Sequence, residues 1–214
     1  MMNFSQIAPL LARGWQTHCS TSGQAAITFD DGPDPKTTPL LLEALNKHGM
    51  KATMFVVGQR CKGNASILRE MSEAGHSIAC HGYAHERHWF RNSTFVQASV
   101  RQTMYMLQEF GIRMAPLFRP PFGAIDWKLH RNITALKVTP ILWSAHVADW
   151  KPQDQSLLRQ RLVRSVHDRM ILLLHDGHDT TANLVEQLPY LREALDEQNL
   201  RAVALGKTEK LVSA

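Results

Sequence analysis

Seven short apolar runs alternate with helical stretches along this chain, and this alternation restricts the fold more than any other feature of the sequence. The runs have the length of buried strands and cover residues 25–29, 52–57, 76–80, 116–119, 138–145, 170–174 and 201–205. Strands that alternate with helices pack as a mostly parallel sheet with the helices outside it. An open doubly wound sheet and a closed barrel both satisfy this pattern.

The segments between the runs predict helices. Periodic apolar residues place them over residues 37–49, 64–75, 93–111, 126–137, 155–168 and 181–198. In the first of them, Thr38 is the predicted N-cap, Pro39 is the first helical residue, and Gly49 lies just past the end. The third is predicted to bury one face, formed by Val96, Val100, Met104 and Leu107.

Polar side chains follow directly after separate predicted strands, and their positions favour the barrel. They are Asp30, Asp31, His81, His85, Arg119, Asp149 and His175. In a barrel of parallel strands the carboxyl ends meet at one mouth, whereas an open sheet spreads them along a line. Because these residue types cooperate only when they are close together, the sequence predicts a single barrel domain.

Two histidines in the segment HGYAH, His81 and His85, have a spacing that suits a metal site. On a helical turn, residues four apart share a face, so both imidazoles can reach one ion. Asp31, at another strand end, would complete three ligands with open positions for water, which is typical of a catalytic site. The alternative is a chance spacing, since the chain contains 11 histidines.

Two adjacent carboxylates, Asp30 and Asp31, begin the segment DDGPDP after the first strand. Their repulsion is relieved if a metal neutralises Asp31 and if Arg119, of the segment FRPPFG, neutralises Asp30. Asp30 would then stay ionised as a general base. The alternative is an ordinary turn, because the segment is rich in turn-forming residues.

His175, in the segment LLLHDG, needs a partner if it is to act as an acid at neutral pH. Asp149, in the segment ADW, is the candidate partner, because a nearby carboxylate raises the pKa of an imidazole. The alternative is a structural histidine at the end of a strand.

Net charge narrows the range of partners. A net charge of +5 is compatible with binding to a nucleic acid, an anionic membrane surface or an acidic substrate. The basic residues are scattered, however, and the densest stretch, residues 157–169, predicts a solvated helix face, with a polyanion or lipid contact as the alternative. No cluster of basic and aromatic residues is evident along the chain, so we expect no nucleic acid.

The cysteines and the first residues point to a reducing compartment. Cys19, Cys61 and Cys80 are odd in number and form no CxxC pair, which argues against a disulfide framework. Residues 1–20 lack the pattern of a signal peptide, and no apolar run approaches the roughly 18 residues of a transmembrane helix. We therefore expect a cytoplasmic protein.

Five segments, TFDDGP, HGYAH, RPPFG, DW and LLLHDG, occur in the order of the five motifs of the polysaccharide deacetylase family. The chain resembles the NodB-homology domains of that family, carbohydrate esterase family 4, over residues 27–177, and residues 184–195 resemble its closing helix. The resemblance implies an α/β fold, a distorted barrel of seven or eight β/α repeats. The implied single domain covers residues 24–207, with an N-terminal extension over 1–23 and a tail over 208–214.

The resemblance also implies an activity. Family members remove acetyl groups from N-acetylated sugars and depend on a divalent metal, usually zinc, with cobalt or another ion as the alternative. By motif position, the implied metal ligands are Asp31, His81 and His85. The implied catalytic groups are Asp30 as general base, Arg119 holding that base, His175 as general acid and Asp149 tuning that acid.

Further positions bear on substrate binding. Phe122 stands where relatives carry Tyr, and this replacement keeps the backbone N–H that would bind the oxyanion. Trp150 and Leu173 would line the acetyl pocket. Gly82 replaces the usual Ser or Thr of the second motif, so we expect a loop-supporting hydrogen bond to be lost. His146 stands where many relatives carry Asp. We interpret it as a substrate contact or neutral drift, with a spare metal ligand as the alternative.

The expected partner is an N-acetylated carbohydrate or glycolipid, while the oligomeric state and a peripheral membrane contact stay open. Competing functions are an O-acetyl esterase or deformylase acting on a sugar-lipid, and a catalytically inactive carbohydrate-binding barrel. The loops over residues 85–92 and 123–127 carry aromatic side chains. These either stack on sugar rings or pack within the protein.

Overall fold

Eight parallel strands form one sheet within residues 14–206, the part of the chain that the computed structural model describes. The strands are β1 (Gln24–Asp30), β2 (Thr53–Val56), β3 (Ser77–Cys80), β4 (Leu117–Phe118), β5 (Thr139–Pro140), β6 (Ala145–His146), β7 (Ile171–His175) and β8 (Arg201–Val203). Each predicted apolar run corresponds to a strand, except that the run over residues 138–145 corresponds to two, β5 and β6.

The sheet curves into a barrel. Its strand order is β5-β4-β3-β2-β1-β7-β6, with β8 paired to β1. β5 and β6 stand at opposite ends of this order, yet only residues 141–144 separate them along the chain. The N–H of Ile141 donates to the carbonyl of Phe118 at 2.8 Å, and the N–H of Ser144 donates to the carbonyl of Ile171 at 3.0 Å. This short segment therefore runs from one edge of the sheet to the other, so the sheet curves round as in the predicted barrel.

Helices lie outside the sheet. Within residues 14–206 they are α1 (Thr38–Lys47), α2 (Gly58–Cys61), α3 (Ala65–Glu73), α4 (Ser93–Glu109), α5 (Trp127–Thr134), α6 (Gln155–Ser165), α7 (Thr181–Val185) and α8 (Leu188–Glu197). The predicted helix over residues 181–198 is two helices, because Pro189 lies in the first turn of α8 and cannot continue α7. The short α2 has no counterpart in the sequence prediction.

Two details of the predicted helices are wrong. Thr38 is the first residue of α1 instead of its N-cap, and its buried hydroxyl donates to Asp176 at 2.5 Å. In α4, Met104 is exposed and Thr103 is buried in its place. Thr103 lies seven positions after Val96, close to two helical turns, so it shares the buried face.

The central strands are buried because helices cover one face of the sheet and the barrel interior covers the other. Phe29 of β1 belongs to the same apolar cluster as Leu41 and Leu45 of α1. Burial of each such side chain contributes about 1.5–3 kcal/mol to folding. This packing fixes the carboxyl end of β1, where Asp30 and Asp31 stand.

The three cysteines, Cys19, Cys61 and Cys80, are buried and unpaired. Burial raises the pKa of the Cys61 thiol to about 12 and that of the Cys80 thiol to about 11. Both thiols are therefore protonated at neutral pH and pack as small apolar side chains.

None of the helices within residues 14–206 is long and apolar enough to cross a bilayer. The predicted tail over residues 208–214, and residues 1–13 of the predicted N-terminal extension, lie outside the described part of the chain. The domain limits therefore stay a prediction.

Candidate active site

The carboxyl ends of the strands surround one cavity of about 600 Å³. Its lining consists of Asp30, Asp31, His81, His85, Phe122, Gly123, Trp143, His146, Trp150, Leu173, His175 and His178. Arg119 and Asp149 do not line the cavity but bond to two residues that do, Asp30 and His175. The structure therefore brings together all of the site residues predicted from the sequence.

Asp31, His81 and His85 form a cluster that fits a metal ion. Their ligand atoms all lie within 4.8 Å of one another. The Nε2 atoms of His81 and His85 approach Asp31 Oδ1 to 3.4 and 3.0 Å, yet this buried oxygen makes no hydrogen bond. Buried polar atoms are nearly always hydrogen-bonded, so an unsatisfied oxygen between two imidazoles fits a position that would bind a cation. Two imidazoles and one carboxylate are the donor set of a catalytic zinc site.

Neighbouring groups orient these ligands. His81 Nδ1 donates to the carbonyl of Arg119 at 2.9 Å, so the Nε2 lone pair faces the cluster. The guanidinium of Arg60 donates to the carbonyl of Asp31 at 2.7 Å, and Asp31 has a positive φ of 76°. Burial alone would raise the pKa of Asp31, but its contacts with the surrounding histidines, His178 first, bring that pKa well below its usual range.

The two histidines of the cluster, His81 and His85, approach each other through a bend, so the helical turn predicted for HGYAH is wrong. Gly82 and His85 have positive φ values of 81° and 52°, and the centroids of the two imidazoles are 5.2 Å apart. The N–H of Tyr83 donates to Ser99 Oγ at 2.8 Å, and His88 Nε2 lies 2.9 Å from the same oxygen. A Cβ on Gly82 would come within 2.7 Å of His88. His88 and Ser99 therefore support the loop where Gly82 offers no side chain.

Arg119 is fully buried and neutralises Asp30, which confirms the predicted pairing. Its Nη1 donates to Asp30 Oδ1 at 2.8 Å and to Thr28 Oγ1 at 2.7 Å. Its Nη2 donates to the carbonyl of Leu142 at 3.0 Å, and the ring centroid of Phe55 lies 4.2 Å from the guanidinium carbon. Burial lowers the pKa of Arg119 while Asp30 acts against that shift. An arginine keeps its charge at neutral pH even so.

His175 and Asp149 form a second pair, also as predicted. His175 Nδ1 lies 3.0 Å from Asp149 Oδ1, and the backbone N–H of His175 donates to Asp149 Oδ2 at 2.7 Å. Burial would lower the pKa of His175, but the hydrogen bond and the charge of Asp149 outweigh it and raise that pKa above its ordinary value. Because Nδ1 is engaged, Nε2 is the ring atom left for the cavity that His175 lines.

Sequence reasoning misses His178, which contacts the same carboxylate as the ligand histidines. Its Nε2 lies 2.8 Å from Asp31 Oδ2, whereas His81 and His85 face Oδ1. Since His178 occupies Oδ2, Oδ1 is the free ligand atom. The available signal is the segment HDGHD, which places a second histidine three residues after His175.

Sequence reasoning also misses Asp176, which joins the loops that follow β1 and β7. The hydroxyl groups of Thr37 and Thr38 donate to its carboxylate at 2.6 and 2.5 Å. A Cβ on Gly32 would lie 2.5 Å from this carboxylate, so only glycine fits beside it. Burial raises the pKa of Asp176. The segment DDGPDP is therefore both the turn and part of the site, and the two interpretations of it do not exclude each other.

Phe122, Trp150 and Leu173, the predicted substrate residues, line the cavity. Phe122 has a positive φ of 62°, and the centroid of its exposed ring lies 4.7 Å from that of His85. His146 also lines the cavity, but it is not a member of the metal-binding cluster. Its interpretation as a spare metal ligand therefore has no support, and its contact with substrate stays a prediction.

Known proteins resemble this chain in sequence. Residues 17–141, more than half of the chain, match the family model of polysaccharide deacetylases. The peptidoglycan-N-acetylglucosamine deacetylase PgdA of Listeria monocytogenes is 30% identical over 163 residues, which are 76% of this chain and 34% of that protein. The chain thus spans about a third of the length of this relative. A chitooligosaccharide deacetylase of Azorhizobium caulinodans is 31% identical over 153 residues, 71% of this chain and 72% of that protein.

A solved structure also resembles the barrel. The family 4 carbohydrate esterase from Streptomyces lividans in complex with acetate has a TM-score of 0.77 and 28% sequence identity. The match covers 87% of this chain and 98% of that one. The parallel barrel described above is therefore the barrel of these proteins.

Proposed function

This chain belongs to the polysaccharide deacetylase family, and from that premise we propose that it is a metal-dependent hydrolase that removes the acetyl group from an N-acetylated sugar. The observation that supports this proposal most is that one cavity is lined by Asp30, His175 and the cluster of Asp31, His81 and His85. Amide hydrolysis needs a general base, an electrophile and a general acid, and this set of side chains offers a candidate for each.

Asp31, His81 and His85 are the proposed metal ligands. Zinc suits two imidazoles and one carboxylate better than magnesium or calcium, which prefer oxygen ligands, and cobalt is the closest substitute. When bound, the ion supplies Lewis-acid polarisation of a carbonyl oxygen and lowers the pKa of water. The protein contributes the orientation of the ligands, through the Arg119 carbonyl on His81 and through His178 on Asp31.

Asp30 is the proposed general base. Its Oδ1 is held by Arg119, and its Oδ2 lies 3.6 Å from His81 Nε2, on the side of the metal cluster. The guanidinium engages Oδ1 and leaves Oδ2 without a guanidinium partner. Oδ2 is therefore the atom proposed to accept a proton from the attacking water.

The N–H of Phe122 is the proposed donor to the developing oxyanion. Pro120 and Pro121 precede it, and their fixed φ angles stiffen the turn that directs this N–H. One preorganised donor of this kind typically lowers the barrier by about 3 kcal/mol. Beside it, Trp150 and Leu173 are proposed to line the pocket for the acetyl methyl group.

His175 is the proposed general acid. Its leaving-group partner is the sugar nitrogen, which departs as an amine only if it receives a proton. The raised pKa that Asp149 causes keeps more of the imidazole protonated near neutral pH. The base and the acid thus reach the cavity from different strand ends, Asp30 from β1 and His175 from β7.

The test is acetate release from the N-acetylglucosamine tetramer by protein purified without chelator. We expect acetate and free amine in equal amounts, and loss of both for His175→Ala. Folded, zinc-loaded protein that releases no acetate from N-acetylated oligosaccharides or glycolipids would contradict the proposal. Formate release, or acetate release without a new amine from O-acetylated sugars alone, would instead identify a deformylase or an esterase.

A further inference from the structure

Two loops beside the cavity carry exposed aromatic rings and cations that no catalytic step uses. The first covers residues 85–92, and the second covers residues 122–131 and runs into the first residues of α5. We call this surface the aromatic rim. Its exposed rings belong to Trp89, Phe90, Phe122 and Trp127. Its exposed cations belong to Arg87, Arg91, Lys128 and Arg131.

Contacts between the two loops make the rim one continuous surface. Asp126 is buried and its Oδ2 accepts the N–H of Phe90 at 2.5 Å. Its Oδ1 accepts the N–H of Lys128 and so caps the start of α5, whose first residue is Trp127. At the cavity, the ring of Phe122 lies against the ligand His85 and carries the guanidinium of Arg87 at 5.4 Å from its centroid. The rim therefore runs from the metal cluster outward to Trp127.

Exposed rings of this extent indicate a binding surface. Phe90 is 73% exposed, and Phe122 and Trp127 are each 61% exposed. Large exposed aromatic groups gathered beside a cavity usually mark an interaction site. Their flat faces suit the C–H faces of sugar rings, and the link through Phe122 lets one saccharide chain extend from the cavity onto the rim.

The rim also has unpaired positive charge. The side-chain nitrogen of Lys128 and the guanidinium of Arg131 lie 5.5 and 5.4 Å from the ring centroid of Trp127. Within residues 14–206, none of the four rim cations forms a salt bridge. Glu86 is the single exposed carboxylate in the two loops. Sequence analysis identifies the two aromatic segments but misses the cluster of cations, because it is assembled from both of them.

We propose that the rim binds an anionic part of the saccharide substrate, next to the N-acetylated sugar that enters the cavity. The rings would stack on sugar faces, and the cations would pair with carboxylate or other anionic groups on the chain. This inference rests on the proposed function and narrows its substrate class to acidic N-acetylated saccharides. A nucleic acid could use similar groups, but a saccharide is favoured because the rim is continuous with the catalytic cavity.

The test compares two tetrasaccharides by calorimetry on the metal-loaded protein. One is the neutral N-acetylglucosamine tetramer, and the other alternates N-acetylglucosamine with glucuronic acid. We expect the acidic chain to bind about tenfold more tightly at low salt, the size expected for one exposed ion pair at each of its two carboxylates, and to lose this advantage at high salt. Equal affinities, or tighter binding of the neutral chain, would overturn the inference.

Variants separate the rim from general surface charge. Arg87→Gln with Arg131→Gln should abolish the preference for the acidic chain. Arg161→Gln with Arg164→Gln, on α6, removes the same charge elsewhere and should preserve it. Trp127→Ala should weaken both tetrasaccharides, because it removes a stacking face. An acidic preference that survives the rim variant, or that disappears equally in the α6 variant, would overturn the inference.

Two further results keep the inference and the proposed function distinguishable. If acetate is released from the neutral tetramer while the acidic chain binds no better, the function stands and the inference fails. If the acidic chain binds better but no acetate is ever released, the rim binds acidic saccharides as proposed, and it is the deacetylase function that fails. Tighter binding of a single-stranded DNA oligomer than of the acidic tetrasaccharide would assign the rim to nucleic acid and overturn the inference.

Discussion

Asp30 and Asp31 are neighbours in the chain, yet they face two different regions of the site. Asp30 ends a regular strand and is held by a fully buried guanidinium. Asp31 leaves the strand with a positive φ and faces His81, His85 and His178. One residue of unusual backbone is enough to place two like charges in separate electrostatic environments. The first environment suits a charged base, and the second suits a metal ligand.

The largest expected effect comes from the arginine on the Asp30 side. Arg119→Met leaves Asp30 buried without its cation, so the free energy of unfolding should fall by about 3–5 kcal/mol. Arg60→Met, on the Asp31 side, removes a hydrogen bond to a backbone carbonyl and should cost about 0.5–1.5 kcal/mol. Urea denaturation of the metal-free proteins measures both values.

A double variant sharpens this comparison. If the unpaired charge of Asp30 causes the loss of stability in Arg119→Met, adding Asp30→Asn should restore part of that stability, because the two changes act on one ion pair. Equal losses of stability for Arg119→Met and Arg60→Met would show that the charge of Asp30 does not need Arg119. The same conclusion would follow if the losses caused by Arg119→Met and Asp30→Asn simply added in the double variant.

The next effect is on the Asp31 side and concerns metal affinity. His178→Ala removes the partner of Asp31 Oδ2 but no proposed ligand, so metal affinity should fall by about 10–100-fold. His146→Ala is the matched control, because His146 lines the same cavity but lies outside the cluster. Competition with a chromogenic chelator measures both. Unchanged affinity in His178→Ala, or an equal loss in His146→Ala, would contradict the positioning role.

The smallest effect concerns the proposed acid, His175, which is the register partner of Asp30 in the neighbouring strand. His175 faces Asp149 directly, with Asp30, Asp31 and His178 further around it. Asp149 raises the pKa of His175, so the protonated acid persists to higher pH, and Asp149→Asn should move the alkaline limb of kcat/KM to lower pH. A folded, metal-loaded variant whose alkaline limb does not move would show that Asp149 only stabilises its own loop and does not tune the pKa of His175.

The sequence predicts the barrel and the chemical groups better than it predicts their local geometry. Positions at strand ends are enough to predict that Asp30, Arg119 and His175 meet at one site, because parallel strands bring their carboxyl ends together. They do not reveal that HGYAH forms a bend, since the side chains that support the bend, His88 and Ser99, lie outside this segment. Partners contributed by distant loops are likewise invisible to spacing within one segment.

His178 and the aromatic rim show the same limit at two scales. His178 meets Asp31 across 147 positions of the chain, and no local pattern encodes that contact. The rim joins two loops through Asp126, which is an ordinary helix N-cap when α5 is considered alone. Both contacts arise from tertiary packing. The sequence shows the two aromatic segments of the rim, but not that they form one surface with the cations.

The most direct test of the account is metal affinity and acetate release measured in parallel for Asp30→Asn and Asp31→Asn. Asp30→Asn should keep the metal affinity of the unmodified protein and lose about 10²–10⁴-fold in turnover, since it removes the base and not a ligand. Asp31→Asn should lose the metal and the activity together. If Asp30→Asn releases the metal while Asp31→Asn retains it, the two carboxylates have the opposite roles and the account is wrong.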